Sequence, residues 1–282
     1  MKTIIVGLVA VFVFCMLAVG AKELQVGPLK TERRSVSQRK AKSVRATFKM
    51  GNGQIVLGNG SNELMDAEFK YNVAEWKPKV MYSVKGSEGR LTVQQPEVDG
   101  SAKENAIYRW DVRLGHGVPI SLDIEQGNGK TELDLKGLTV TNADVTTGNG
   151  RVTMNLGGTH TSLNTTSIKM GNGVIDAWFT GTYPALRKVN ISKGNGSVKL
   201  DLTGDWRRDA DISVNTGNGD MALTVPRDIG VSVRISSGLS RVHTTGLTKQ
   251  GENYINEAFR NSNVTLTLHV TAGAGDVTIK AE

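Results

Sequence analysis

From Ile124 to Val225, short runs of alternating apolar and polar residues are broken at regular intervals by one tripeptide, Gly-Asn-Gly. It begins at Gly127, Gly148, Gly171, Gly194 and Gly217, so the steps are 21, 23, 23 and 23 residues. Counted from the first glycine of each unit, position +4 holds Thr131, Val152, Ile175, Val198 and Met221. Position +6 holds Leu133, Met154, Ala177, Leu200 and Leu223, and position +8 holds Leu135, Leu156, Phe179, Leu202 and Val225. The residues between are mostly polar, as in Lys130, Glu132 and Asp134 or Ser197, Lys199 and Asp201. Such alternation predicts a strand with one dry and one wet face. Ile124, Val145, Ile168, Ile191 and Val214, three residues before each tripeptide, mark a second short strand. Each unit therefore predicts strand, glycine corner, strand and return loop. A period in the low twenties is the length of one solenoid coil. The expected fold is all-β, a single-stack β-solenoid of about 21–23 residues per rung.

One such unit cannot bury its apolar face alone; stacked on its neighbours, each column becomes a continuous apolar stripe. Glycine supplies the positive-φ backbone that a sharp corner needs, and asparagine tolerates the left-handed region better than other side chains. Asn128, Asn149, Asn172, Asn195 and Asn218 would then stand above one another and bond as a structural corner ladder. The pattern extends outward in weaker form. Gly51-Asn52-Gly53 is followed by Ile55 and Leu57, Gly238-Leu239-Ser240 reads as a degenerate corner, and Gly273-Ala274-Gly275 closes the series with Val277 and Ile279 in phase. Between Thr245 and Asn263 the period fails, which predicts a loop or short helix over one end or side of the stack.

The first 21 residues differ from the rest. Thr3 to Gly20 is an uncharged apolar run, and Val19-Gly20-Ala21 offers small residues for a cleavage site before Lys22. This is the pattern of a secretory signal, with an uncleaved anchor over residues 3–21 as the rival. Eight basic residues from Lys22 to Arg45 follow the run and only Lys2 precedes it, an order the positive-inside rule does not favour for export. The β character of the body still points to an exported protein of the periplasm or cell surface. Cys15, the only cysteine, lies inside the apolar run, so the mature chain has neither disulfide nor cysteine-ligated metal. The net charge of +7 is concentrated in the basic segment 22–45, which could touch anionic membrane. That segment has no interleaved aromatics, so nucleic acid is not expected. The divisions expected are a signal or anchor at 1–21, a basic linker at 22–43, an N-terminal β region at 44–104 and the repetitive solenoid at 105–282.

Several phrases occur together in a familiar order: Phe48-Lys49-Met50-Gly51-Asn52-Gly53, Phe69-Lys70-Tyr71-Asn72, Glu75-Trp76-Lys77-Pro78, Trp110-Asp111 leading to Pro119-Ile120-Ser121-Leu122, and Val225-Pro226-Arg227-Asp228-Ile229-Gly230-Val231. As a set they resemble the bacterial toast-rack family, related to LiaF-like C-terminal domains and to DUF4097 adhesin-like β-solenoids, over residues 44–282. The resemblance implies stacked β architecture and an envelope location. LiaF-like proteins carry such a domain behind several membrane spans and restrain a sensor of envelope stress; this chain has one apolar segment. Gly-Ala-Gly corners are the family habit, and the asparagine at most corners here departs from it. The resemblance brings no catalytic residue with it.

The residues themselves suggest no enzyme. His116, His160, His243 and His269 form no metal-binding pair and read as surface or corner residues. Gly127-Asn128-Gly129-Lys130-Thr131 imitates the end of a phosphate-binding loop, but it opens a strand and not a helix. Stacked carboxylates are the remaining candidates. Asp134 and Asp201 share a column, but at about 4.8 Å per rung they stand roughly 14 Å apart, beyond the reach of a glycosidase pair. Asp176, Trp178 and Asp201 are instead expected to form a surface interaction patch. Trp76, Trp110 and Trp206 are expected to pack or cap. The functional expectation is a non-enzymatic envelope scaffold with an adhesin-like surface for an unknown envelope protein or glycan. A polysaccharide-active β-helix enzyme and a LiaF-like regulatory domain are the alternatives. No cofactor and no metal are expected.

Overall fold

The computed structural model describes residues 23–102 and 105–282; the predicted signal or anchor segment lies outside them. Two short strands, β1 (Glu23–Leu24) and β7 (Ser101–Ala102), pair with each other alone. The remaining N-terminal strands are β2 (Val26–Val36), β3 (Ser43–Asn59), β4 (Met65–Val73), β5 (Lys79–Lys85), β6 (Glu88–Gln94) and β8 (Tyr108–Leu114). The regular stack follows as β9 (Ile120–Asp134), β10 (Val140–Asn155), β11 (Thr165–Trp178) and β13 (Lys188–Asp201), then a broken rung of β15 (Ala210–Asn218) and β16 (Met221–Val225). β12 (Thr182–Tyr183) and β14 (Asp205–Trp206) pair on the return side. The chain ends with β17 (Gly230–Thr245), β18 (Thr248–Gln250), β19 (Asn253–Ile255) and β20 (Thr265–Ala281).

Stacking is parallel and in register. Val152 pairs with Ile175, and Ile175 pairs with Val198. All three are 0–2% exposed, as are the +8 residues Leu135, Leu156, Phe179, Leu202 and Val225. The one polar residue of the +4 column, Thr131, is also fully buried; its hydroxyl donates to Gln126 Oε1, and Gln126 Nε2 donates to Gly53 O at 2.8 Å. The pair satisfies itself inside the corner, which is how a polar rung residue survives burial.

The tripeptide does not end the strand; it turns it. In β10 the alternating buried residues that lead into the tripeptide are Ala143, Val145 and Thr147, and those after it are Val152 and Met154. The phase of two slips by one, so a straight strand would send the two sets to opposite faces. Gly150, at φ 134°, rotates the chain and keeps both sets inward. A Cβ there would stand 1.8 Å from Gly129 O. The glycine is thus required twice, by its dihedral and by the close approach of the rung before it.

At the N-terminal end, β3 is itself the first full rung, with Asn52 beside Asn128 and Ile55 beside Thr131. The expected boundary at 104/105 therefore cuts across the stack. Beyond β3 the stack divides. Its first half pairs in parallel with β6, which folds back on β5, and its second half pairs in parallel with β8, followed by antiparallel β4 and β2. The expected linker at 22–43 needs correction: residues 26–36 form the edge strand β2. Its alternation is hidden because it is almost wholly exposed and rich in charge, as edge strands are. Arg33 pairs there with Glu68 at 2.8 Å.

At the C-terminal end the rungs leave sequence order. β20 lies between the β15–β16 rung and β17, so Gly273-Ala274-Gly275 is the penultimate corner and not the last. Polarity explains the swap. Leu266, Leu268, Val270, Val277 and Ile279 are 0–1% exposed, whereas β17 carries Arg241 and His243 and leaves Leu239 90% exposed. The more apolar strand takes the interior place. The segment where the period failed forms the β18–β19 hairpin against the outer side of β17.

Leu200 points inward at 1% exposure, and Lys199 beside it points out. Leu200→Ala should lower the unfolding free energy by about 2–5 kcal/mol, and Lys199→Ala by less than about 0.5 kcal/mol. Chemical denaturation of both variants checks the difference.

Candidate interaction surfaces

The outer face of the continuous sheet is built from the alternate residues that the core does not use. Across successive strands one row of it shows Val56, then Glu132, Thr153, Asp176 and Lys199. Its carboxylates are mostly engaged. Asp176 is ion-paired with Arg151, Gln54 Nε2 donates to Glu132 Oε1 at 2.9 Å, and Arg109 grips Asp111 through Nε and Nη2. The Lys130 ammonium and the Gln54 amide beside Glu132 hold its carboxyl below the usual range. Asp201 Oδ1 accepts from the Thr203 N–H at 3.0 Å and hydroxyl at 2.7 Å, so it closes the turn after β13.

Asp176, Trp178 and Asp201 lie on this one face, with Trp178 in register beside Asp201 on the next strand. Trp178 is half-buried and borders a shallow groove of ≈ 440 Å³ with Asp134, Asn155 and Arg113. Asp134 and Asp201 are three strand steps apart through Asn155 and Trp178, about 14 Å. Among the described residues, no group of three or more His, Cys, Asp or Glu could hold a metal ion. Trp110, Trp206 and Trp76 are 0%, 2% and 8% exposed and pack in the interior.

The corner asparagines form a hydrogen-bonded column. Nδ2 donates to the Oδ1 of the preceding rung from Asn128 to Asn52 (2.7 Å), Asn149 to Asn128 (2.6 Å), Asn172 to Asn149 (2.7 Å), Asn195 to Asn172 (2.7 Å) and Asn218 to Asn195 (2.8 Å). Asn52 is the member the sequence reading left out. Its tripeptide is identical, but the 76 residues to the next one break the period. The column stops at Asn218, whose neighbour in the next rung is Ala274.

Two further features were not visible in the sequence. A cleft of ≈ 880 Å³ lies at the N-terminal end of the asparagine column, bordered by Asn52, Gln95, Asp123, Glu125, Trp76 and Tyr108. Tyr108 and Trp76 are ring neighbours at 5.4 Å, and burial raises the Tyr108 hydroxyl far above its ordinary pKa. The Trp110 N–H lies close enough to offset that slightly, yet out of hydrogen-bonding geometry. His160, expected as a surface or corner residue, is 1% exposed; it stacks on Tyr183 at 6.0 Å and its Nε2 lies 3.1 Å from Gly157 O. Burial lowers its pKa, so it rests in the core as neutral imidazole.

Lys193 occupies the inward position just before its tripeptide, where Met50, Gln126, Thr147 and Met170 stand in other rungs. It is 5% exposed, and Nζ has no hydrogen-bond partner. Burial pulls its pKa down from 10.5 to about 8. The unfolded chain therefore keeps a proton that the folded chain releases between about pH 8 and 10.5, and stability from this group rises with pH across that window. At pH 7 the cost of burying the charge is present in full. Lys193→Met should raise stability at pH 7 by about 1–2 kcal/mol, a partly screened value. It should also remove the rise expected between about pH 8 and 10.5; denaturant midpoints of both chains across this range measure it.

Comparison with known proteins completes the description. Residues 25–177 match the family model described as the N-terminal domain of toast_rack, DUF2154. Residues 176–279 match the model described as cell wall-active antibiotics response LiaF, C-terminal. No curated protein matches the chain. Among solved structures, a candidate cell adhesion protein from Clostridium sporogenes is 22% identical, with a TM-score of 0.50 over 90% of this chain and 100% of that one. A candidate adhesin from Bacteroides fragilis is 11% identical, with a TM-score of 0.36 over 91% of this chain and 99% of that one.

Proposed function

Since this chain belongs to the toast-rack family, whose N-terminal domain spans residues 25–177, we propose that it is a non-enzymatic cell-envelope scaffold. Its outer strand face receives a protein or glycan partner around Trp178. One observation carries this reading: the carboxylates of that face are committed to structural contacts, Asp176 with Arg151 and Asp201 with Thr203. What remains for a partner is a broad polar surface with one half-buried indole in a shallow groove, a common composition for an interaction patch. The apolar residues 3–21 direct export or anchor the chain, and the basic stretch 22–45, with Lys40 and Lys42 exposed, adds attraction to anionic lipid.

A photo-crosslinking residue at position 178 of the full chain in intact cells should give a discrete adduct, and the same residue at exposed Lys249 should not. Equal or absent adducts would contradict the proposal. So would loss of envelope-polysaccharide cleavage in Asp176→Ala or Asp201→Ala with the fold retained.

A second reading has its own support in the LiaF C-terminal match over 176–279. In it the solenoid damps a sensor of envelope stress. Deleting the gene should then raise a stress-reporter signal in unstressed cells; a signal unchanged with and without a cell-wall antibiotic removes this reading.

A further inference from the structure

The cleft at the N-terminal end lies where the stack omits a corner. β6 covers β3 as far as Lys49, and the Gln95 N–H still reaches Lys49 O at 2.8 Å. β8 covers β3 from Gln54 onward. The described residues of the segment that would supply the intervening corner, 95–102 and 105–107, leave the stack instead, so among the described residues no strand lies over Met50–Gly53. Two groups imitate the missing rung. Gln95 Oε1 accepts the Gly51 N–H at 2.7 Å. Tyr108 O stands 2.4 Å from where a Cβ on Gly53 would lie, the place that Gly53 O takes over Gly129.

Nothing imitates the missing asparagine. Every amide in the column donates toward the lower-numbered rung, so the donor end is Asn52 Nδ2, which has no acceptor among the described residues. Aligned hydrogen bonds polarise one another, and the terminal donor of such a chain is strengthened. Asn52 borders the cleft.

We propose that this vacant corner binds an acetamido sugar, whose amide carbonyl accepts from Asn52 Nδ2 and so continues the asparagine column by one unit. The site goes beyond the outer-face reading and does not depend on it. The uncovered stretch of four residues is about 13 Å long, room for one or two pyranose rings. It is too short for strand addition, which needs a run of free backbone groups. The cleft volume of ≈ 880 Å³ is that of a small-molecule site. Hydroxyl groups of the ring would find acceptors in Asp123 and Glu125 and a donor in Lys49, which pairs with Glu125 at 2.8 Å. The buried indole of Trp76 forms part of the wall.

The test is calorimetric titration of the full chain with N,N′-diacetylchitobiose, with cellobiose as the same linked pair lacking acetamido groups, and with the blocked peptide acetyl-Gly-Asn-Gly-amide. Chitobiose should bind, with cellobiose and the peptide at least about tenfold weaker. Asn52→Asp keeps an oxygen for Asn128 to donate to and replaces the free donor with a charged, acceptor-only oxygen. It should weaken chitobiose at least about tenfold with Tm unchanged. In the unaltered chain, the Asn52 side-chain amide resonance should shift on titration while that of Asn218, at the far end of the column, stays still. The proposal is overturned if millimolar chitobiose produces neither heat nor shift, or if cellobiose or the peptide binds as well. It is equally overturned if the Asn218 resonance moves in place of Asn52, or if Asn52→Asp binds as tightly as the native chain.

Discussion

The structure depends on the closeness with which one corner lies upon the next. At Gly150 the carbonyl of Gly129 occupies the space a side chain would need, and the same contact recurs where Gly173 meets Gly150 O. That contact fixes the register of each rung on its neighbour. With the register fixed, the +4, +6 and +8 residues fall into columns, and the interior forms from residues 21 to 23 positions apart in sequence. The asparagine column and the flat outer face follow from the same constraint, because residues at equal positions must stand side by side on both faces of a parallel, in-register sheet. The hydrophobic effect supplies the stabilisation; the glycine corner decides which pairing receives it.

Both ends show how such a stack is terminated. At the C-terminal end the chain places apolar β20 inside and leaves polar β17 outside, with a short hairpin covering part of its edge. At the N-terminal end the rung over β3 is divided into β6 and β8, and each half turns into antiparallel pairing. An antiparallel border strand carrying Lys30, Arg33 and Arg34 offers a poor template for further stacking. The cleft is a by-product of this divided rung, which is why it lies at the end of the asparagine column and not along the sheet.

The repeats were legible because period and alternation are local signals, and every inward column read from sequence is buried. Less legible were features that depend on what a segment packs against. Residues 26–36 look like a linker because an edge strand buries nothing that would mark its phase. β20 looks like the last rung because sequence order does not record which strand is dry enough to be interior. His160 looks like a surface or corner residue, and its burial shows only once Tyr183 is stacked on it. Alternation is enough to put Asp176, Trp178 and Asp201 on one face, but it does not show that both carboxylates are already engaged. The tripeptide at Asn52 is visible in the sequence, but its place in the column is not, because a 60-residue excursion (60–119) separates its rung from the next. The cleft was invisible for the same reason, since it lies where β6 and β8 leave one corner of β3 unpaired.

The central claim is in-register parallel stacking at the corner, and disulfide formation tests it most directly. In a Cys15→Ser background, cysteines replacing Asn149 and Asn172 occupy partnered positions on adjacent strands, about 4.8 Å apart, within disulfide range. Cysteines replacing Asn149 and Asn195 lie two rungs apart, about 9.6 Å, beyond it. Mild oxidation of the folded chain should close the first pair and leave the second as free thiols. Closure of the second pair in preference to the first would contradict the stacking from which the rest of the structure follows.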